Sequence, residues 1–155
     1  MSSLASEKVR VTKKFTFDMA HALLGHDGPC KNIHGHSYSL YVTLRGVPRH
    51  QDHHPKDGMI IDFSELKSII NQTVINIYDH ALVLSKNSDM ELLGAIKKQY
   101  DKIVIVPFQP SCENLIIEIK NKIKTVLNNS EFELISLRLD ETATSYAEWF
   151  SSDNR

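Results

Sequence analysis

The stretch that decides the fold reads CKNIHGHSYSLYVTLRG, residues 30–46. From His34 onward its residues alternate between two faces, which is the period of a β-strand. One face carries two histidines and then large apolar side chains: His34, His36, Tyr38, Leu40, Val42 and Leu44. The other face is mainly small or polar. The pattern predicts a strand from about His34 to Gly46 with one face against the core.

Two imidazoles two residues apart project from the same face of a strand, and this spacing suits a zinc ion. Gly35 between them has no side chain, so another group or backbone can approach closely. Cys30 stands four residues before His34, in a turn rich in glycine and proline. In a chain with eight histidines such a pair can also arise by chance. The neighbouring segments decide between these interpretations.

A preceding strand is predicted at residues 9–20. Its inner apolar face consists of Phe15, Phe17 and Met19. His21 follows in phase, where a lone histidine is more often a satisfied core residue than a ligand. Residues 22–33 contain glycines and a proline and are predicted to form a loop. If the two strands pair antiparallel with their apolar faces together, His21 lies beside His34 and His36. Three converging imidazoles predict a zinc site.

A second group of histidines lies at residues 50–55, HQDHHP. No regular period runs through it, and its polar, proline-containing composition is typical of a loop. We interpret it as a solvated loop in preference to a second metal site.

Two amphipathic helices are predicted downstream. Asp62 is a good N-cap, and apolar residues at three- and four-residue spacing continue to about Tyr78. Pro110 precedes the second helix, which should end at Asn128-Asn129. Between the helices, we interpret residues 82–99 as a connection with a possible short helix, and residues 102–106 as a possible extra strand.

Three reactive residues in these segments have a structural and a functional interpretation. Asp79-His80 ends the first helix, where such a pair is usually favoured by the helix dipole at the surface. It becomes functional only if the tertiary structure carries it to Cys30. Cys112 falls in the first turn of the second helix, and we assign it a structural role as a small buried hydrophobe.

The last part of the chain predicts two more strands, at residues 133–140 and 145–150. Glu141 continues the apolar face of the first of them, and a carboxylate there is costly unless something pairs with it. Alternatively, Asp140-Glu141 begins a turn just past the strand. The pattern does not choose between these two.

The predicted order is strand, strand, helix, helix, strand, strand. The simplest packing is an α+β fold with a four-stranded antiparallel sheet and both helices on one face, inserted between strands 2 and 3. We expect a single domain at residues 9–150, a flexible N-terminal tail at residues 1–8 and a second tail at residues 151–155.

The composition is that of an ordinary globular chain: 155 residues, 41% hydrophobic, 24% charged and a net charge of −1. Acidic and basic residues are interspersed, so neither a nucleic-acid partner nor a membrane surface is expected. No apolar run approaches the ~20 residues of a membrane helix, and the N-terminus lacks the apolar core of a signal peptide. Two cysteines are too few for a disulfide framework, which favours reduced thiols in a cytoplasmic protein.

Several segments together resemble the 6-pyruvoyl-tetrahydropterin synthase superfamily, from Phe15 to about Trp149. They are FDMAH at 17–21, Cys30 with HGHSY at 34–38, GMIIDF at 58–63, Asp79-His80, Glu113-Asn114 and Asp140-Glu141-Thr142. The resemblance implies the tunnelling (T-fold) architecture. It also implies a homohexamer of two stacked trimers, with sites built across subunit contacts.

The resemblance also implies roles for individual residues. Three of them would bind zinc, namely His21, His34 and His36. Cys30 would be the catalytic base, assisted by Asp79 and His80. Glu141 would anchor the pterin ring of a small-molecule substrate.

Branches of this family differ in the spacing between the cysteine and the first histidine of His-Gly-His. Animal-type pyruvoyl-tetrahydropterin synthases have five intervening residues, and the branch that makes 6-carboxy-tetrahydropterin has three. A folate-pathway branch uses a glutamate in the loop. Here residues 31–33 intervene, and there is no glutamate between Leu23 and Ile33. The resemblance thus implies zinc-dependent conversion of 7,8-dihydroneopterin triphosphate to 6-carboxy-5,6,7,8-tetrahydropterin, with release of triphosphate and acetaldehyde, for queuosine (7-deazaguanine) biosynthesis.

Two alternatives stay open. One is a 6-pyruvoyl-tetrahydropterin synthase of the same fold, which eliminates triphosphate without cleaving a carbon–carbon bond. The other is a non-catalytic module that binds zinc or a pterin. Such a module needs neither a thiol close to a zinc ligand nor an acid in phase with the core, so Cys30 and Glu141 favour an enzyme.

Overall fold

The computed structural model describes residues 6–128 and 131–155. Six strands form one sheet in the order β4-β3-β1-β2-β5-β6. The strands are β1 (Val9–His21), β2 (His34–Gly46), β3 (Ala81–Ser85), β4 (Ile103–Val106), β5 (Phe132–Asp140) and β6 (Tyr146–Phe150). The helices are α1 (Phe63–Ile70), α2 (Asn76–Tyr78), α3 (Met90–Gln99) and α4 (Cys112–Val126).

The long hairpin of β1 and β2 lies at the centre of this sheet. The two strands pair antiparallel over their whole length, from Val9 opposite Gly46 to His21 opposite His34. Their inner residues from Phe15 to His21 and from Tyr38 onward are buried, as the alternation predicts. The hairpin therefore places the three predicted ligands at one end of the apolar face.

The predicted four-stranded antiparallel sheet is wrong in the number and the direction of its strands. The structure has six strands, and β3 pairs in parallel with both β1 and β4. Four of the five residues of β3 are buried, so it lacks the alternation that reveals a half-buried strand. The sequence therefore favours a connection at residues 82–99, and the structure shows a strand at the start of this segment. The possible strand at residues 102–106 is present as β4, and the possible short helix is α3.

The first predicted helix is a continuous helical run from Phe63 to Tyr78, with a π-helical segment, Asn71–Ile75, between α1 and α2. Asp62 caps its start, because its side chain accepts a hydrogen bond from the Ser64 N–H at 2.8 Å. The buried residues lie four apart: Leu66, Ile70, Val74 and Tyr78. In a pure α-helix each four-residue step would rotate the side chain by about 40°. The wider π-turn offsets part of this rotation and keeps the four side chains toward the sheet.

The second predicted helix is α4. Ser111 caps it by accepting a hydrogen bond from the Asn114 N–H. Its inner face consists of Leu115, Ile116, Ile119 and Ile123, which join the α1–α2 run and the inner sheet face in one core. Both helical runs thus pack on the same face of the sheet, as predicted. The helix ends at Val126, and Asn129 of the predicted stop lies outside the described residues.

The periphery is less tightly packed. α3 contributes no buried residue, and Ser151–Asn154 of the predicted C-terminal tail forms a short 3-10 helix. Residues 1–5 of the predicted N-terminal tail lie outside the described part of the chain. Among the described residues, no helix has the length and apolar character needed to cross a bilayer.

The core position of Leu66 can be tested by replacing it with alanine. Leu66 is 0% exposed, so Leu66→Ala should lower the free energy of unfolding by about 2–5 kcal/mol. Leu92 on α3 is 49% exposed, and Leu92→Ala should change the free energy of unfolding by less than about 0.5 kcal/mol. Urea unfolding of both variants under one condition checks this, and equal losses would contradict the assigned core.

Candidate metal centre and active site

The register of β1 and β2 brings three histidines together at one end of the hairpin. His21 lies directly opposite His34, and Met19 lies opposite His36. One nitrogen from each imidazole lies within 4.8 Å of the others. His21 is 1% exposed, whereas His34 and His36 are half-buried. The predicted convergence of the three rings is present in the structure.

Backbone carbonyls orient two of these rings. Nδ1 of His21 lies 2.7 Å from the carbonyl oxygen of Pro110, and Nδ1 of His34 lies 2.8 Å from that of Asn32. A carbonyl can only accept, so each Nδ1 donates its proton and each neutral ring presents an Nε2 lone pair. Burial lowers the pKa of His21, which favours this neutral form.

The ε-nitrogens fit a metal ion. Nε2 of His21 and Nε2 of His34 are 3.1 Å apart, and their lone pairs face each other when both Nδ1 atoms carry the protons. Nε2 of His36 is buried and finds no hydrogen-bond partner among the residues that the structure describes. Two nitrogens bound at about 2.0–2.1 Å to a tetrahedral Zn²⁺ would lie about 3.4 Å apart. A cation held by all three rings would remove the repulsion between the facing lone pairs of His21 and His34. It would also give the buried Nε2 of His36 a partner.

Gly35 allows the two strands to approach closely beside these histidines. A Cβ atom at this position would lie 3.2 Å from the carbonyl oxygen of Met19 on β1. A larger residue would therefore press against the β1 backbone at the point where His34 and His36 project. The close approach predicted from the glycine is that of the neighbouring strand.

Glu141 reaches the same site from the end of β5. Its backbone lies in the turn after that strand, where its N–H donates to the Ser145 carbonyl at 3.0 Å. Its Oε1 lies 3.9 Å from Nε2 of His36, and the Tyr38 hydroxyl donates to its Oε2 at 3.5 Å. Both interpretations from the sequence hold, since Glu141 is a turn residue whose carboxylate points at the histidines.

A cavity of about 460 Å³ opens beside Glu141, which is within the size range of small-molecule sites. Cys112 and Tyr146 are among the residues that line it. Burial and the charge of Glu141 raise the pKa of Cys112 to about 12. Cys112 therefore remains a neutral thiol, which donates to the Leu139 carbonyl at 3.4 Å.

Cys30 lies on the loop that joins His21 to His34. It is half-buried in a short 3-10 turn, Pro29–Lys31, and its carbonyl accepts a hydrogen bond from the Leu23 N–H at 2.9 Å. Within the described part of the chain, its thiol is not one of the groups that converge with the three imidazoles.

Asp79 and His80 form a hydrogen-bonded pair between α2 and β3. Oδ2 of Asp79 lies 3.0 Å from Nδ1 of His80, and Oδ1 accepts the Asp18 N–H at 3.0 Å. The bond from Asp18 is the largest cause that lowers the pKa of Asp79, so its carboxyl is ionised at neutral pH. His80 has a positive φ of 61°, and its N–H donates to the Asp18 carbonyl at 2.7 Å. Lys102 donates to the Asp79 carbonyl from the other side.

This pair and the three histidines lie on different faces of the sheet. Asp18 and Ser37 alternate with Met19 and His36, so their side chains project from the outer face. On that face, one side-chain polar atom each of Asp18, Asp79 and His80 lie within 4.8 Å of one another. His80 also lines a cavity of about 800 Å³, and Cys30 is not part of its wall. Within one chain, the fold therefore does not bring Asp79-His80 next to Cys30.

The histidine-rich loop at residues 50–55 forms contacts of its own. Nε2 of His54 lies 3.1 Å from the Arg49 guanidinium, and its Nδ1 accepts the Lys56 N–H at 2.9 Å. In the described part of the chain, no three potential ligands from this loop come close enough to share a metal ion.

Sequence reasoning missed three contributors to the site. Tyr38 shares the face of His36, and this alternation in the sequence indicates its position beside the histidines as well as its place in the core. Pro110 acts through its carbonyl, and backbone groups have no sequence signature. Gln109 reaches across 85 residues to the loop that carries Cys30, a contact that no local pattern reveals.

Three comparisons relate the chain to known proteins. Residues 10–151 match the sequence model described as 6-pyruvoyl tetrahydropterin synthase. A relative from Haemophilus influenzae named 6-carboxy-5,6,7,8-tetrahydropterin synthase is 37% identical over 90% of this chain and 97% of its own length. A relative of the same name from Rickettsia typhi is 30% identical over 90% of this chain and 99% of its own length.

Solved structures agree in fold. The 6-pyruvoyl tetrahydropterin synthase of Caenorhabditis elegans has a TM-score of 0.66 at 24% identity and covers 94% of this chain and 96% of its own. An uncharacterised protein from Wolinella succinogenes, WS1659, has a TM-score of 0.73 at 17% identity, covering 94% of this chain and 99% of its own. At these identities the likeness establishes the fold alone.

The raised pKa of Cys112 predicts slow alkylation in the folded protein. At pH 8 a thiol with a pKa of about 12 is almost wholly protonated, so iodoacetamide should modify Cys112 roughly 100-fold or more slowly than in the urea-unfolded chain. Peptide mapping by mass spectrometry separates Cys112 from Cys30. Equal rates in the folded and unfolded chains would contradict the buried neutral thiol.

Proposed function

Because the chain belongs to the 6-pyruvoyl tetrahydropterin synthase family, we propose that it converts 7,8-dihydroneopterin triphosphate to 6-carboxy-5,6,7,8-tetrahydropterin. The reaction consumes one water molecule and releases triphosphate and acetaldehyde, and the product serves queuosine (7-deazaguanine) biosynthesis. The observation that carries the proposal is the convergence of His21, His34 and His36 beside Glu141. The name of the 37% identical relative and the three residues between Cys30 and His34 favour the carboxy product.

The three histidines would hold Zn²⁺ through their ε-nitrogens. Three protein ligands leave one position of a tetrahedral ion open, which is the arrangement of catalytic zinc sites. When bound, zinc supplies Lewis acidity that polarises a substrate oxygen and makes neighbouring protons easier to remove. The carbonyls of Pro110 and Asn32 fix two of the rings in the tautomer that such binding needs.

Glu141 would bind the pterin ring. Its carboxylate can accept two hydrogen bonds, one from a ring N–H and one from the adjacent amino group, and such bidentate contacts fix orientation as well as position. The cavity beside it holds space for the ring, with Cys112 as part of the wall. Tyr38 donates to one carboxylate oxygen and would hold the carboxylate in place.

Cys30 would remove a proton from the substrate side chain. It sits on the loop between two of the proposed zinc ligands, so a substrate held at the open position lies near that loop. Cys30 must act as a thiolate, and a neighbouring imidazole is the usual acceptor of its proton. Asp79 holds Nδ1 of His80 at 3.0 Å and thereby leaves Nε2 of that ring free for this role.

The two halves of this machinery would meet across a subunit contact. Within one chain, Asp79-His80 faces the outer side of the sheet, whereas the histidines and Glu141 face the inner side. A second copy that presents its His80 to Cys30 would complete the site. We therefore propose a homohexamer of two stacked trimers, whose active sites each use residues from more than one subunit.

Zinc binding can be tested by replacing His36 with alanine. His36→Ala removes one of three ligands, so most of the bound zinc should be lost after dialysis. His54→Ala changes a histidine of the solvated loop and should retain the wild-type zinc content. Metal analysis of both variants decides, and full retention by His36→Ala would reject the three-histidine site.

The reaction itself is tested by product analysis. Zinc-loaded protein is incubated with 7,8-dihydroneopterin triphosphate, and products are identified by mass spectrometry with a parallel acetaldehyde assay. We expect 6-carboxy-5,6,7,8-tetrahydropterin plus acetaldehyde, and a loss of turnover of about 100-fold or more in Cys30→Ala.

Other outcomes have defined meanings. Formation of pyruvoyl-tetrahydropterin without acetaldehyde would replace the proposed product and keep the zinc site and the base. Undiminished turnover in Cys30→Ala would reject Cys30 as the base. Zinc binding with no turnover of wild-type protein would favour a non-catalytic binding module.

A further inference from the structure

The loop that carries Cys30 is held by hydrogen bonds more than by apolar packing. None of residues 22–33 is buried, and Leu24, its second leucine, is 49% exposed. Most of the bonds within the loop are local, such as the one from the Leu23 N–H to the Cys30 carbonyl at 2.9 Å. A loop of this kind keeps one conformation only if another part of the chain fixes it.

Gln109 supplies that connection. Its Nε2 donates to the Leu24 carbonyl at 2.7 Å, and its Oε1 accepts the Leu24 N–H at 3.0 Å. The side-chain amide therefore satisfies both backbone groups of one residue, as a neighbouring strand would. Among the described residues, these are the only hydrogen bonds that join residues 22–33 to a segment distant in sequence.

Gln109 is itself rigidly attached to the start of α4. Its carbonyl accepts the Ser111 N–H at 2.8 Å and the side-chain amide of Asn114 at 3.0 Å. The next residue, Pro110, provides the carbonyl that orients His21. One dipeptide between β4 and α4 thus contacts both a proposed zinc ligand and the loop that carries the proposed base.

We propose that Gln109 is a positioning residue that fixes the Cys30 loop relative to the three-histidine site by binding both backbone groups of Leu24. Leu23, the residue before Leu24, donates its N–H to the Cys30 carbonyl. Two hydrogen bonds, one at Leu24 and one at Leu23, therefore connect Gln109 to the backbone of Cys30. The effect on turnover rests on the proposed function, whereas the effect on the loop does not.

The test compares Gln109→Ala with Gln72→Ala. Gln72 is a surface amide on the first helical run, and its only described side-chain bond is to Ser68, at 3.3 Å. In Gln109→Ala we expect faster amide exchange at Leu24 and faster alkylation of Cys30, both resolved by peptide mass spectrometry. Zinc content should stay at the wild-type level, because the Pro110 carbonyl remains. Gln72→Ala should match the wild type in each measurement.

Turnover gives the second readout. Displacing a reacting group by about 1 Å can cost about 100-fold, so kcat of Gln109→Ala should fall by roughly 10- to 100-fold while KM changes little. Gln109→Glu keeps the acceptor for the Leu24 N–H but places a carboxylate oxygen against the Leu24 carbonyl. It should therefore also loosen the loop, although Glu has nearly the same size as Gln.

The outcomes separate this proposal from the proposed function. Unchanged exchange at Leu24 in Gln109→Ala overturns the positioning role, whatever happens to turnover. Loss of zinc with faster exchange throughout the chain also overturns it, because Gln109 would then be a general folding residue. If the wild type turns over no pterin substrate, the proposed function fails, and the exchange and alkylation of the Cys30 loop still decide the role of Gln109.

Discussion

The pairing register of β1 and β2 is the constraint on which the rest of the site depends. Side chains alternate across a strand, so a slip of one residue would send His34 and His36 to the outer face and leave His21 alone in the core. Contacts on both faces hold the register. On the inner face the rings of Phe17 and Tyr38 stack with centroids 5.2 Å apart. On the outer face the hydroxyls of two facing threonines, Thr12 and Thr43, lie 2.8 Å apart.

The same alternation divides the proposed chemistry between two surfaces. Inner positions carry the three imidazoles and, through the turn after β5, Glu141. Outer positions carry Asp18, whose N–H donates to the Asp79 carboxylate and whose carbonyl accepts the His80 N–H just before β3 begins. The proposed active site would draw on both surfaces of the sheet. This division is the reason for proposing that a second copy completes the site.

The start of α4 couples the core to the site. The helix is anchored by its buried inner face, and its capping segment presents the Pro110 carbonyl to His21 and the Gln109 amide to Leu24. Both contacts come from a segment that follows β4, a strand with no clear alternation in sequence. The helix therefore acts on the site through the placement of the residues just before its first turn, although only its apolar face is visible as a pattern.

The sequence by itself determined the hairpin, the two main helical runs and the strand face on which His21, His34 and His36 lie, because each of these depends on a local period or cap. The phase of Glu141 with β5 is also a local property, but the pattern left open whether this residue is a paired carboxylate or part of a turn. The sequence did not determine β3 as a strand, because β3 is buried on both sides and has no alternation, and so it missed the parallel edge of the sheet. Nor could it choose between a solitary Asp79-His80 pair and one that reaches Cys30. Only the tertiary structure decided the contacts of Pro110, Gln109 and His80, because they join segments distant in sequence through backbone groups and turns, which no residue pattern encodes.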